Sequence, residues 1–249
     1  MEKIVNRCLL KVGYDGSAYR GWQFQKNGPS VQDEIQKALF KLTGKDITIY
    51  GASRTDAGVH ALSQFCHFDN PSEIKSHKFA LALNAFLPMD IRIISSQEVD
   101  NYFHARYNAI EKTYSYRIWN ASYAHPILGH MTAHVPKKLD INVMNQAIPT
   151  ILGEHDFSAF QASGGISNTT IRTLKDCYLT KDGNLYTLVV VGKSFLYNMV
   201  RIISGTLIDI GHYRLLPTAF STAFSSFDRR DLGSTAPAKG LELSQIKYN

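Results

Sequence analysis

The sequence predicts an α+β protein built from two similar halves. Apolar/polar alternation of strand type recurs in both halves, each half adds at least two helical stretches, and the elements do not follow the strand–helix–strand rhythm of a parallel βαβ series. At 249 residues the chain is long enough for a large single domain or two modest halves with a sizeable core. The seam is placed at Asn108, giving halves of residues 1–108 and 109–249 with the same vocabulary of elements and no visible sequence repeat.

The first half opens on a strand at Cys8–Tyr14, with Cys8, Leu10, Val12 and Tyr14 on one face and Asp15-Gly16 ending it. Ser30 and Asp33 have the spacing of a capping box and start a helix to Leu42, whose stripe is Val31, Ile35, Leu39 and Leu42. Gly44 stands where a left-handed cap would close it. β-Branched and aromatic residues predict a strand over Ile47–Tyr50, and another follows the glycine-bracketed segment at Gln64–Asp69. Lys75–Leu87 reads as a helix with Phe79, Leu83, Phe86 and Leu87 inward, stopped by Pro88, and Ile91–Val99 as a strand.

In the second half, Ile110, Lys112, Tyr114, Tyr116 and Ile118 alternate with Glu111, Thr113, Ser115 and Arg117, the pattern of a half-buried strand. Asp140–Gly153 reads as a helix with Ile141, Met144, Ile148 and Ile151 inward, its last turn kinked or shortened by Pro149. Residues 154–170 are polar, contain Gly164-Gly165, and are expected to form a mobile surface loop. Strands at Thr170–Thr180 and Leu185–Val191 flank the hairpin signal Asp182-Gly183. Helices are predicted over Phe195–Ile210 and Pro217–Phe227, and a closing strand over Leu241–Tyr248.

Composition narrows the function classes. Hydrophobic residues make up 44% and charged residues 19%, as in soluble globular proteins, and the formal net charge is +6. A basic balance suits a polyanionic partner, because Lys and Arg release counterions on neutralising phosphates; simple solubility accounts for it equally well. The three cysteines, Cys8, Cys66 and Cys177, are too scattered for a disulfide framework or a C-x-x-C metal site. Among the nine histidines only His130 and His134 stand four apart, and no H-E-x-x-H motif occurs. Neither a metal nor a cofactor is expected. The charged start Met1–Arg7 leads into no apolar leader core, and no run reaches membrane-spanning length, so a soluble cytoplasmic protein is expected.

The segment Gly51-Ala52-Ser53-Arg54-Thr55-Asp56-Ala57-Gly58-Val59-His60-Ala61 crowds an arginine, an acid and a histidine into a glycine-bracketed turn. Such a turn can hold a carboxylate at the lip of a sheet while its backbone approaches a ligand. On these residues alone, an aspartate that merely caps its own turn is the simpler account.

The same segment resembles the G-x-G-R-T-D-A-G-V-H-A motif of the TruA family of tRNA pseudouridine synthases, with all eight residues from Arg54 to Ala61 in agreement. Ser53 replaces the family's usual glycine, which bears on the turn's backbone angles because serine tolerates positive φ poorly. Further motifs follow in family order. Tyr14-Asp15-Gly16-Ser17, Tyr19 and Gly21-Trp22-Gln23 form an opening signature, followed by Val31-Gln32, Asn84, Leu87-Pro88 and Phe103-His104-Ala105-Arg106. Tyr114-Ser115-Tyr116, Gly153-Glu154-His155-Asp156-Phe157, Phe195–Arg201 and Ala236–Leu243 complete the series. The likeness spans essentially the whole chain.

The resemblance implies two halves whose mostly antiparallel sheets join, helices on the outer face and a central active-site cleft. It implies a homodimer whose tRNA touches both subunits, and target uridines at positions 38, 39 and 40 of the anticodon stem-loop. Pseudouridine formation breaks the N1–C1′ bond, turns the base and rejoins it through C5, so it needs a carboxylate but no redox partner or group donor. Asp56 matches the nucleophile, for attack at uracil C6 or sugar C1′ or for assisting base loss. Arg54 matches the residue thought to displace the target nucleotide from its stack. Tyr114 matches the active-site tyrosine, and Arg201 the basic partner that would keep Asp56 ionised. Without the family, Tyr114 and Tyr116 would both read as core, and Arg201 as a snorkelling surface residue.

Arg20, Lys26, Arg106, Lys112, Arg172 and Lys193 are candidates for a phosphate track, though each alone is more simply a solvated charge. Three rivals stand beside this reading: a non-catalytic RNA-binding module, a glycoside hydrolase, and a paralogous synthase with other target uridines. Glycoside hydrolases usually need two acids in concert, whereas the matched motifs supply one.

Overall fold

The computed structural model describes residues 6–165 and 167–249. Residues 1–5, most of the charged start, lie outside the described residues, as does Ile166 in the polar stretch. The chain forms two compact units: one runs to Ile110 and takes back Leu243–Asn249, and the other is Glu111–Glu242. Both mix helices with mostly antiparallel strands, as an α+β chain should.

In the first unit β1 (Asn6–Tyr14) pairs antiparallel with β3 (His60–Asn70) on one side and β4 (Ile91–Val99) on the other. The short β2 (Tyr50–Gly51) also pairs with β3. The last strand, β10 (Leu241–Lys247), lies beside β3, with Leu243 onward in this unit. Cys8, Leu10 and Val12 are completely buried, as their alternation predicts. Helix α1 (Val31–Thr43) is capped by Ser30, whose Oγ accepts from the Asp33 amide at 3.3 Å, and is closed by Gly44 at φ 68°. Helix α2 (Phe79–Asn84) presents Phe79 edge-on to Phe68 of β3, ring centroids 5.1 Å apart.

Two expectations for this unit need correction. Ile47–Tyr50 is not a strand; only Tyr50–Gly51 joins the sheet. Ile47 and Ile49 are buried as alternation requires, but the Ile49 backbone is bonded by side chains of α1 instead of a ladder partner. Its carbonyl accepts from Gln32 Nε2 at 3.1 Å, and its amide donates to Gln36 Oε1 at 3.4 Å. The predicted Lys75–Leu87 helix is a 3-10 turn (Ser76–Lys78) followed by the short α2. Asn84 ends it by bonding both backbone groups of Ile93 (2.9 and 2.8 Å), so Phe86 falls outside the stripe and is 43% exposed.

The second unit contains β5 (Glu111–Trp119), β6 (Ala133–His134), α3 (Ile141–Ala147) and β7 (Gly153–Asp156). After them come β8 (Ile171–Asp182), β9 (Leu185–Gly192), α4 (Met199–Gly211) and α5 (Ala219–Ser226). The strand order is β5-β9-β8-β7, with β6 added parallel to β5. Asp182 pairs with Leu185, so the hairpin turn is Gly183-Asn184, with Gly183 at φ 55°. Asp140 caps α3, and at Pro149 the helix gives way to a 3-10 turn (Ile148–Ile151), the shortening expected.

Three expectations change here. Residues 154–170 are not one loop: β7 pairs with β8, a 3-10 turn covers Ser158–Phe160, and Phe157 and Phe160 are fully buried. Aromatic packing explains this order. Phe157 meets Phe160 and Phe224 edge-on (5.0 and 5.2 Å), and Phe160 stacks on Phe220 at 5.8 Å. Strand β5 is more than half-buried, because Glu111 and Ser115 are buried as well as the tyrosine face. The Phe195–Ile210 helix starts only at Met199, since Asn198 is left-handed at φ 61° and breaks the turn before it. No helix among the described residues is long and apolar enough to cross a membrane.

Candidate active site

The first unit holds Arg54 and Asp56 on the connection between β2 and β3, and His60 as the first residue of β3. Asp56 is half-buried and Arg54 exposed, whereas Thr55 and His60 are buried. The Val59 amide donates to the Asp56 carbonyl at 3.1 Å, closing a turn that contains Gly58 at φ 77°.

This turn is held by the segment that follows β1. The Trp22 amide donates to the Thr55 carbonyl at 3.1 Å, and the Gly58 amide to the Tyr19 carbonyl at 3.2 Å. The Tyr14 and Thr55 hydroxyls share a buried hydrogen bond of 2.7 Å. Gly21, at φ 97°, passes so close that a Cβ would come within 2.3 Å of the Thr55 carbonyl oxygen. A Cβ at Gly16 would lie 1.9 Å from the Val59 carbonyl oxygen. The glycines of the opening signature therefore let one backbone lie directly on another, which orders the Asp56 turn. In the sequence that role is hidden; two glycines interleaved with aromatic residues are the signal that could have shown it.

From β3, Gln64 completes the support. Its Oε1 accepts from the Ser53 amide at 3.2 Å and its Nε2 donates to the Ser53 carbonyl at 2.7 Å. Ser53 is not among the described non-glycine residues with positive φ, so the departure from glycine causes no left-handed strain. His60 Nδ1 lies 3.2 Å from the Gly16 amide, which donates to it. Asp15 Oδ1 is 3.0 Å from the same nitrogen.

Tyr114 and Arg201 both lie in the second unit. Tyr114 on β5 is buried and meets the Phe195 ring edge-on at 5.0 Å. Tyr116 is entirely buried; its hydroxyl donates to the Pro237 carbonyl at 2.8 Å, and burial pushes its pKa above the ordinary phenol value. Arg201, in the first turn of α4, is half-buried. Its Nε donates to the Ala236 carbonyl at 2.8 Å and its Nη1 to Asn198 Oδ1 at 2.7 Å, so its guanidinium is oriented rather than snorkelling.

The six basic candidates divide. Arg20, Lys26, Arg106 and Lys193 are exposed. Lys112 is buried at 8% exposure, and Arg172, at the start of β8, is tied back to the residues just before it, donating to the carbonyls of Thr169 (2.8 Å) and Ile171 (2.6 Å) and to Ser167 Oγ (2.7 Å). Those two do not fit an open phosphate track. Among the described residues, no group of three or more His, Cys, Asp or Glu side chains is placed to hold a metal ion.

A family model described as tRNA pseudouridine synthase matches residues 11–108 and 147–249. A tRNA pseudouridine synthase A of Acetivibrio thermocellus is 46% identical over 96% of this chain and 98% of its own length. The protein of the same name from Ruminiclostridium cellulolyticum is 46% identical over 98% of this chain and all of its own. A chain in an archaeal box H/ACA ribonucleoprotein crystal structure aligns with 94% of this chain and 59% of its own, at 8% identity and a TM-score of 0.37, too distant to argue from. With the family model and the near-full-length relatives in agreement, the chain belongs to the tRNA pseudouridine synthase family.

Proposed function

We propose that this protein isomerises uridine to pseudouridine in the anticodon stem-loop of tRNA, at positions 38, 39 and 40, with Asp56 as the nucleophile. The observation that carries the reading is the half-buried Asp56 carboxylate on a turn whose backbone is clamped by Tyr19, Gly21, Trp22 and Gln64, in a chain of this family. A carboxylate carried on an ordered turn suits covalent catalysis, because little backbone reorganisation remains before attack on uracil C6 or sugar C1′. The N1–C1′ bond breaks, the base turns and C5 bonds to C1′; the bond made by Asp56 breaks again, the C5 proton leaves to a base and N1 takes up a proton, so the atoms of uridine are conserved.

Arg54, exposed two residues before Asp56, fills the place of the extruded nucleotide. Tyr114 stacks on the uracil ring and Arg201 keeps the nucleophile ionised, both roles carried over from the resemblance. The oriented guanidinium of Arg201 supports its part. The enzyme acts in the cytoplasm as a homodimer.

Asp56→Asn and Asp56→Ala test the assignment with a tRNA transcript as substrate. Both should keep the fold and tRNA affinity and form no pseudouridine; full product formation by either would refute Asp56 as nucleophile. Mapping pseudouridine in tRNA from cells with and without the protein tests the target positions, and an unchanged anticodon arm would refute them. Free uracil as the main product would instead identify a glycosidase.

A further inference from the structure

Away from the Asp56 turn, the first unit carries a run of four ordered rings. Tyr50 stacks on His67 with centroids 5.2 Å apart and planes at 24°. His67 meets His104 edge-on at 4.7 Å, and His104 lies 4.3 Å from Tyr107 at 34°. The ends of the run face solvent, with Tyr50 51% and Tyr107 73% exposed, whereas His67 is 2% exposed.

The backbone holds the two imidazoles in place. The Ala105 amide donates to His67 Nδ1 at 3.2 Å, and the Arg106 amide to His104 Nδ1 at 3.1 Å. His104 is fixed further by Asn108, whose Oδ1 accepts from the His104 amide at 2.7 Å. An imidazole that accepts at Nδ1 is neutral, with its proton on Nε2. Burial lowers the pKa of both histidines, that of His67 to about 4. Arg7 and Arg106 are permanent cations beside the run, and the Arg106 guanidinium carbon lies 5.8 Å from the Tyr107 ring centroid.

Strand register gives the run its face. Leu9 pairs with His67 and Arg7 with Asp69, so these residues share one face of the sheet, while Phe68 points to the other, where Phe79 of α2 packs. His67 lies seven residues along β3 from His60, about 23 Å of extended chain, well beyond one nucleotide. Exposed aromatic rings beside an arginine recognise unpaired bases by stacking, and the cation meets the phosphate.

We propose that Tyr50 and Tyr107, backed by His67 and His104, form a stacking site for an unpaired base of the RNA substrate outside the reacting nucleotide, with Arg106 on its phosphate. The proposal rests on the tRNA reading above. It assigns these residues to substrate positioning, so their loss falls on KM rather than on kcat.

The test is a Tyr50→Ala/Tyr107→Ala variant titrated with an unmodified tRNA transcript across a salt series, with pseudouridine kinetics and sedimentation alongside. Loss of stacking should raise Kd about tenfold or more at every salt concentration without changing the salt slope, and KM should rise in step. Trp at both positions should restore binding, whereas Arg106→Ala should weaken binding and reduce the slope by about one ion. If the double variant is unstable, the single exposed Tyr107→Ala change should still raise Kd several-fold. Binding within twofold of wild type by both variants overturns the site and leaves the catalytic reading intact. A fall in sedimentation mass with unchanged tRNA affinity per subunit makes the rings a self-association surface and also overturns it. Failure of the wild-type protein to bind tRNA and form pseudouridine overturns both readings.

Discussion

The Tyr14 hydroxyl lies 2.7 Å from Thr55 Oγ1, with both side chains buried. Tyr14 ends β1 and Thr55 immediately precedes Asp56, so this bond ties the rigid sheet to the turn that presents the carboxylate. A buried hydroxyl that loses its partner costs about 1–3 kcal/mol, whereas removing both partners costs less. Tyr14→Phe and Thr55→Val should therefore each destabilise the protein, and the double variant by less than their sum, with a coupling of about 1 kcal/mol in urea unfolding. Each single change should also lower kcat. Strict additivity would mean the bond does not link the two elements.

Close backbone approach makes a sharper prediction at Gly21. Its φ of 97° and the 2.3 Å separation of a would-be Cβ from the Thr55 carbonyl oxygen leave no room for a side chain. Gly21→Ala should cost more than about 2 kcal/mol and disrupt the Asp56 turn, with turnover falling further than stability explains. Gly183→Ala provides the contrast: φ is 55° but nothing lies within 4 Å, so only the left-handed penalty of about 1–2 kcal/mol applies and turnover should persist. Equal effects of the two changes on turnover would show that close approach to the Thr55 backbone is unimportant.

His67 gives the folded state a pH dependence. Burial, then the neighbouring His104 and Arg7, push its pKa down from 6.5 to about 4. The unfolded chain thus binds the proton more readily, and the stabilisation is complete above pH 6.5 and lost as pH falls towards 4. Between about pH 7 and about pH 4.5 the wild type should lose more unfolding free energy than His67→Gln, by on the order of 2 kcal/mol. Parallel stability curves for the two proteins would contradict this origin.

Local rules made most elements legible. The Ser30 cap, the Gly44 terminus, the Pro149 break and the strand Ile91–Val99 each follow from residues within a turn of the feature. What escaped depended on distant partners. Ile49 loses its strand to amides on α1, and Phe157 and Phe160 are ordered by Phe220 and Phe224, which arrive from a later helix. The site shows the same division. Asp56 and Arg54 stand out as a motif, but the clamp from Gly21 and Gln64 exists only once the backbones meet. Asn198 was also hidden, because a left-handed asparagine looks in sequence like any residue at the start of a helix.

Asn198 combines two roles that substitution can separate. Its φ of 61° starts α4, and its Oδ1 accepts from Arg201 Nη1 at 2.7 Å. Asn198→Gly keeps the left-handed turn without the acceptor, so stability should hold within about 0.5 kcal/mol. Without the acceptor the guanidinium loses one of its fixed positions, and kcat should fall about tenfold, equivalent to about 1.4 kcal/mol of transition-state stabilisation. Asn198→Asp retains an acceptor and should recover most of that turnover, while Asn198→Ala should lose turnover and about a further 1 kcal/mol of stability. Turnover of Asn198→Gly at the wild-type rate would reduce Asn198 to the start of a helix and leave the orientation of Arg201 to the Ala236 carbonyl alone among these two contacts.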